Sequence, residues 1–445
     1  MLENETPPCR AEDTGPKSPT IQADRIQADQ IHIDANKLSA ELAELATFSN
    51  APPAAAGTAV KRVVFSEQDR DARAWLKDLA AHAGLETRED AVGNTFFRWS
   101  GADPDQPAIA TGSHIDAIPH AGMYDGTVGV LGGLEAMRAL RRSGFRPRRS
   151  IDLVLFTSEE PTRFGIGCLG SRLLAGVLTD ERAATLRDPN GATLDELRAA
   201  SGFRGPLSAV PLSPGHYNAW IELHIEQGPL LERENLPLGI VTGIAAPAGY
   251  RFEITGLGGH AGALLMPDRR DALCAAAEVI LSVERRTLAT GAIDTVATVG
   301  TCQVHPGAVN SVPSHVALEL DLRDTDPVRR EQVIAGIRTD IAEIASKRRV
   351  SITEQIVNAD QPAACSPGLV ALLESSANEI GAPFRRMVSR AYHDSLFMAR
   401  IAPIGMLFIP CRDGVSHRPE EYASPEDIAL GARVLALALA KLASV

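Results

Sequence analysis

Aromatic side chains are scarce in this 445-residue chain, with Phe, Trp and Tyr together at 4%. Positive charge is also in deficit: 44 Lys and Arg stand against 56 Asp and Glu, for a net charge of -12. That balance argues against nucleic acid or an anionic membrane surface as partner. It leaves small substrates open, because the field at a site is set locally. No run of about 18 apolar residues is present to span a bilayer. Cys-x-x-Cys pairs are missing too. Cys9, Cys168, Cys274, Cys302, Cys365 and Cys411 are scattered, which speaks against a thiolate zinc knuckle, a redox motif or a disulfide framework. They read as reduced thiols of a cytosol-like compartment. The start, Met-Leu-Glu-Asn-Glu-Thr-Pro-Pro, lacks the basic head and apolar core of a signal peptide, and the expected location is cytoplasmic.

What is present suits a large α/β core. Hydrophobic residues make up 44%, and the length suggests about two to three domains. Residues 1–35 read as a polar N-terminal tail with an Ile-Gln-Ala-Asp echo at Ile21 and Ile26. Asp34 to Ala46, Ser66 to Ala83 and Thr127 to Ser143 read as helices, with Ser66 as an N-cap. Short apolar runs at Gln106 to Thr111, Ser150 to Phe156, Ala219 to Ile225 and Ile404 to Pro410 read as buried strands. Gly126, Gly129 and Gly132 resemble a dinucleotide loop only faintly; close helix packing accounts for them better.

Each of these strands runs into acidic or imidazole side chains. His114, Asp116 and Asp125 follow the first, Glu159 and Glu160 the second. Alternation puts Glu222, His224 and Glu226 on one face of the third, and His417 follows the last. Strand ends are where an α/β sheet places its chemistry. Imidazole and carboxylate are ligands for borderline or hard divalent ions, and Asp125 has two oxygens with which to bridge a pair. Of the adjacent Glu159 and Glu160, one can bind metal while the other remains free as base and acid. Singly, each group also fits a polar turn, a solvated acidic turn or a satisfied core histidine.

Residues 247–360 change character and read β-α-β-β-α-β, the ferredoxin-like order. Inserted there, such a unit splits the main α/β domain into 36–246 and 361–445.

Gly-Ser-His114-Ile-Asp, Tyr-Asp125-Gly, Ser-Glu-Glu160, Glu-Leu-His224-Ile-Glu-Gln-Gly, Gly-Gly-His260-Ala-Gly and Ser-His417 together resemble the dimetal amidohydrolases of the hydantoinase/carbamoylase branch of the peptidase M20 family. Within the branch the runs Thr157 to Arg172 and Ser389 to Arg400 look most like the members that cleave ureidoglycolate; relatives acting on allantoate or N-carbamoyl amino acids are the alternative, and a non-catalytic metal-binding relative the rival of another class. Those relatives commonly carry Gly-Ala-Gly-His-Asp where this chain has Arg390-Ala-Tyr392-His393-Asp394, so Tyr392 adds a phenol.

The resemblance implies a three-layer α/β/α catalytic domain with a ferredoxin-like dimerisation and lid domain. It implies two divalent ions per subunit, Mn²⁺ favoured with Zn²⁺ also suited: His114 and His224 on one, Glu160 and His417 on the other, Asp125 between them. Asp116 would orient His114 through its other ring nitrogen, and Glu159 would be the general base. His260, from the partner subunit of a homodimer, would stabilise the oxyanion, while Gln227, Asn310, Arg323, Tyr392 and His393 would line a site for a small ureide carboxylate. A cis Asp125–Gly126 bond is a further expectation from relatives.

Overall fold

The computed structural model describes residues 26–445 as a mixed α/β protein. Cys9 and the first Ile-Gln-Ala-Asp copy lie outside the described residues. A nine-stranded sheet forms the larger layer. Its centre is parallel, with Ile404–Ile409, Tyr217–Ile225, Ala108–Ser113 and Ile151–Leu155 side by side. Both faces of these strands are covered, which is why they read as nearly continuous apolar runs. Antiparallel strands flank them: Thr95–Trp99 and Glu86–Glu89 on one side, Leu238–Ile244 on the other. Phe384–Ser389 and Ala363–Ala364 pair with Leu238–Ile244.

Helices Ala35–Thr47, Thr127–Arg142, Pro367–Ile380 and Pro425–Ala443 pack together with the sheet. The glycines of Thr127–Arg142 serve that packing: a Cβ on Gly129 would sit 2.5 Å from the Leu223 carbonyl oxygen, and one on Gly132 3.0 Å from the Leu223 side chain. Strand alternation then turns Trp220, Glu222 and His224 to the other face. There Trp220 Nε1 donates to Ser395 Oγ at 2.7 Å, on the short helix Asp394–Met398. The N-caps fall where the side-chain chemistry predicts: Asp34 accepts from Lys37 N–H, Ser66 from Asp69 N–H and Ser424 from Asp427 N–H.

The chain before Asp34 is less of a tail than its polarity suggests. Ile31 has no exposure, and Arg433 and Arg142 donate to the Ala28 and His32 carbonyls at 2.8 and 2.9 Å. Residues 26–34 thus belong to the packed body.

A second, separate core is built on an antiparallel sheet ordered Val296–His305, His315–Asp324, Ala246–Thr255, Ser351–Ala359. Helices Ala272–Leu288 and Pro327–Arg348 cover it, burying Phe252, Val279, Leu318 and Ile337. Along the chain this is β-α-β-β-α-β. The first of these helices starts at Ala272 because Asp271 caps it through Leu273 and Cys274 N–H, and Met266–Asp268 forms a separate turn. The chain passes between the two cores at Ala246 and at Asp360, where Asp360 N–H donates to Pro247 O at 3.3 Å.

One buried cation supports the first strand-end loop from beneath. Arg62, 1% exposed, donates to Ile115 O and Leu45 O at 2.7 Å each and to Phe48 O at 3.1 Å. Burial lowers its pKa to about 10, with Asp69 and Asp116 opposing the shift. Arg62→Met strands these carbonyls and should destabilise the protein by about 3 kcal/mol, read as a lower urea midpoint; an unchanged midpoint would contradict that support.

Candidate metal centre

His114 and Asp125 are set by the loop that leaves Ala108–Ser113. Gly126 makes the decisive turn. With φ 67° and ψ -41°, and Thr127 N–H donating to Asp125 O at 2.7 Å, it centres a three-residue turn of positive φ. A Cβ there would lie 2.4 Å from His114 Nε2. The expected cis bond is absent: Asp125–Gly126 is trans, and the one cis peptide among the described residues is His305–Pro306. The reversal comes instead from the glycine's backbone freedom.

Two groups form around Asp125. His224 Nε2 and His114 Nε2 lie 3.2 and 3.6 Å from Asp125 Oδ1. His417 Nε2 lies 3.1 Å from Asp125 Oδ2 and 3.3 Å from Glu160 Oε1. The two carboxylate oxygens therefore face different groups, and ligand atoms in each group lie close enough to share one ion. Nδ1 of His114 faces Asp116 O at 3.0 Å and Nδ1 of His224 faces Ile225 O at 2.9 Å. A ring that donates through Nδ1 presents a bare Nε2 lone pair, the form that binds metal.

Asp116 faces the other ring nitrogen of His114, as expected, but with its backbone oxygen rather than its carboxylate. Its carboxylate is 3.7 Å from His114 Nδ1, while the backbone carbonyl holds the ring. The carboxylate instead accepts Glu159 and Glu160 N–H at 3.1 and 3.0 Å, fixing the neighbouring loop. Gln227 lines the cleft, and its amide donates to Asp125 Oδ2 at 2.7 Å, so it also holds that carboxylate. Glu421 has no motif to mark it, yet it accepts Tyr124 and Asp125 N–H at 2.8 and 3.0 Å and Ser416 Oγ at 2.8 Å. A further group, Glu222, His224 and His393, also comes together. There Glu222 is engaged by Ser113 and Ser395, and His393 Nε2 meets Ser389 Oγ at 3.0 Å.

The electrostatics are those of a crowded acidic interior. Burial and the Asp125 charge push Glu160 up to about 7. Glu159 is driven well above the usual carboxylate range by burial, with Glu160 and Asp394 adding to it against His114. Burial and Glu222 raise Asp394 to about 8. Against a cost of burial, carboxylates raise the pKa of both His114 and His224. Buried nitrogen and oxygen donors that repel one another are a fitting set for divalent cations, with no thiolate needed. The site also holds strained backbone: Ser158, Cys168, Gln227 and His417 all take φ between 55° and 59°.

Glu159 stands beside the first group, with Oε2 3.7 Å from His114 Nε2. A cleft of about 1060 Å³ opens here, reaching Arg323, Tyr392 and His393. Arg323 pairs with Asp321 at 2.8 Å and stays half-buried. Tyr392 packs on Gly167, where a Cβ would meet its hydroxyl at 2.1 Å. His393 is buried with its ring 4.5 Å from that of His224; burial and that neighbour hold its pKa well below the ordinary value. His260 and Asn310 do not join the cleft within one chain. They share a short ribbon, Gly259–His260 with Ser311–Val312, and are exposed, with Ala261 N–H donating to Asn310 O at 2.9 Å.

Residues 110–441 match the peptidase family M20/M25/M40. The chain belongs to this family. Its members are metal-dependent hydrolases of C–N bonds. A ureidoglycolate hydrolase of Arabidopsis thaliana is 52% identical over 422 residues, which cover 93% of this chain and 88% of that protein. The solved structure of AtUAH in complex with (S)-hydroxyglycine superposes with a TM-score of 0.83 at 52% identity, covering 94% of this chain and 99% of that one; a second complex of AtUAH holds glyoxylate. A hydantoinase/carbamoylase family amidase from Burkholderia multivorans gives a TM-score of 0.84 at 36% identity, covering 93% and 99%. The family and the branch inferred from the motifs both agree with these relatives.

Gly126→Ala tests the turn. It should reduce bound metal below the wild-type stoichiometry, measured by elemental analysis after dialysis, and cost about 1–3 kcal/mol in backbone strain. Wild-type metal content in a folded variant would disprove the requirement.

Proposed function

We propose that this protein is a metal-dependent ureidoglycolate amidohydrolase. The observation that carries the chemistry is the arrangement of Asp125 between two imidazole and carboxylate groups, with Glu159 alongside. The substrate is supported by the 52% identical ureidoglycolate hydrolase and by AtUAH, whose complexes hold (S)-hydroxyglycine and glyoxylate. Hydrolysis of the terminal ureido C–N bond releases ammonia and leaves a carbamate, whose loss of carbon dioxide breaks the second C–N bond and gives hydroxyglycine. That product collapses to glyoxylate and a second ammonia.

His114, Asp125 and His224 would hold one divalent ion, and Asp125, Glu160 and His417 the other. Mn²⁺ is favoured by the resemblance to ureide enzymes, and Zn²⁺ suits the same donors. When bound, such ions supply Lewis acidity that activates water and polarises a carbonyl. Glu159 takes the proton of the attacking water and passes it to the leaving ammonia. Its raised proton affinity suits both steps. Asp116 fixes the backbone of Glu159 and Glu160 during this exchange. Arg323 binds the substrate carboxylate, a pairing that guanidinium makes bidentate, and Asn310, next to the ribbon that carries His260, joins it from across the interface. Tyr392 and His393 complete the wall, and Gln227 acts chiefly through Asp125.

Residues 247–360 form a ferredoxin-like dimerisation and lid domain, and 36–246 with 361–445 form the catalytic domain. His260 reaches the partner's site across a two-fold interface and stabilises the oxyanion. The exposed His260–Asn310 ribbon supports that reading. We place the enzyme in the cytoplasm.

Ammonia and glyoxylate release from fresh ureidoglycolate, allantoate and N-carbamoyl amino acids by Mn²⁺-loaded protein tests the substrate. Turnover is expected with ureidoglycolate alone; preference for another ureide would replace the substrate and keep the chemistry. Glu159→Gln should retain metal and lose turnover by about 10²- to 10⁴-fold. Mixing inactive His260→Ala with inactive Glu159→Gln subunits should restore activity, because one site of each heterodimer is then complete. Mixtures that stay inactive despite subunit exchange would refute the role across the interface.

A further inference from the structure

Arg172 touches neither Glu159 nor the five proposed metal ligands, yet its bonds run towards both Glu159 and the inserted unit. It lies on the short helix Leu169–Leu174, 6% exposed, with its guanidinium 4.2 Å from the Phe397 ring centroid. Nε donates to Gly167 O at 2.8 Å. The two terminal nitrogens donate to Asp360 Oδ1 and Oδ2 at 2.8 and 2.6 Å. This fork therefore joins two segments 188 residues apart in the chain.

At one end of the fork is the support of the base. Cys168 N–H donates to Glu159 O at 2.6 Å, and Leu169 N–H to Ser158 O at 2.8 Å. Cys168 Sγ donates to Glu159 Oε1 at 3.3 Å, leaving Oε2 turned to His114. Cys168 holds this pose with φ 55°, a conformation that side-chain-bearing residues keep only when their surroundings fix it. At the other end is the return of the chain from the inserted unit. Asp360 O accepts from Arg330 Nη1 at 2.6 Å, and the same nitrogen donates to Ala246 O at 3.2 Å. Arg330, fully buried on the helix Pro327–Arg348, thus grips both chain passages at once.

We infer that Arg172 and Asp360 are positioning residues: their buried ion pair sets the orientation of Glu159 through Gly167 and Cys168, and ties it to the seating of the inserted unit. The inference rests on Glu159 being the base. A fork with one N–H on a backbone carbonyl and two on a carboxylate cannot be reproduced by lysine, which offers a point charge. Loss of either partner lets the Gly167–Cys168 turn relax, and small displacements of a catalytic group are costly, up to about a hundredfold per ångström.

Steady-state kinetics of full-length, Mn²⁺-loaded Arg172→Lys, Asp360→Asn and the double variant on ureidoglycolate, with bound metal measured for each, test this. Each single variant should lose about ten- to a hundredfold in kcat, with KM and metal content close to wild type. The double variant should be no worse than the poorer single, because the pair acts as one unit. Wild-type kcat in both singles, multiplying losses in the double, or losses that follow metal content would each overturn the inference. Cys168→Ala and Cys168→Ser extend the test to a milder change: alanine should lower kcat and serine, which still donates, should restore it; equal rates for the two would break the link to Glu159. Glu159→Gln run alongside separates the failures. Full activity there removes the base itself, whereas an inactive Glu159→Gln beside unaffected Arg172 and Asp360 variants removes only the linkage.

Discussion

The mutual repulsion of buried carboxylates is the constraint from which the rest of this structure follows. Two like charges about 4 Å apart interact by about 4 kcal/mol at an effective dielectric constant of 20, and here Asp125, Glu159 and Glu160 gather with Asp116, Glu222, Asp394 and Glu421 close behind. Each of the supporting acids has its own donors. Asp116 takes two backbone N–H groups, Glu421 takes two more and a hydroxyl, and Glu222 takes the hydroxyls of Ser113 and Ser395. The acids nearest the cleft are left with imidazoles as their main company, a charge balance that a divalent cation completes.

Such crowding demands rigid mounting. The imidazoles are locked by carbonyls at Nδ1, Gly126 seats against His114 with no room for a methyl group, and Arg62 pins the loop from below. The cleft on the open side is bounded by Arg323 and Tyr392, contributed by different cores. Precision therefore resides in the sheet layer, while the core that brings Arg323 to the cleft joins it through the two passages at Ala246 and Asp360.

Much of this was legible in the residues. Parallel central strands are buried on both faces and show as apolar runs, so the acidic and imidazole groups that follow them could be read as one set: His114, Asp125, Glu160, His224 and His417 do converge. What escaped detection was mostly backbone chemistry. The partners of the Asp116 carboxylate are N–H groups that every residue carries, so nothing in the sequence marks it as a loop clamp beside the backbone contact with His114. Glu421 lies in a plain Pro-Glu-Glu-Tyr run and gains its role only when the loop folds over Tyr124 and Asp125. Leu238–Ile244 is hard to recognise as a strand because Gly239 and Gly243 interrupt its pattern; Gly239 makes room for Met387, whose sulfur would lie 2.3 Å from a Cβ. At Asp125 the sequence marks a glycine that frees the backbone, and the structure uses that freedom, but the cis bond expected from relatives is not formed.

The strand Ile404–Ile409 lies between Tyr217–Ile225 and Leu238–Ile244, in the interior of the sheet although it is the last of the described strands to be synthesised. Until it is available, the two halves of the catalytic layer have no common neighbour, and His417 has not yet been made. The inserted unit, whose pairings close within about a hundred residues, has the shorter loops to order. Its assembly can therefore run ahead of the larger layer during translation, with the late strand as the keystone that joins sheet and site in one step.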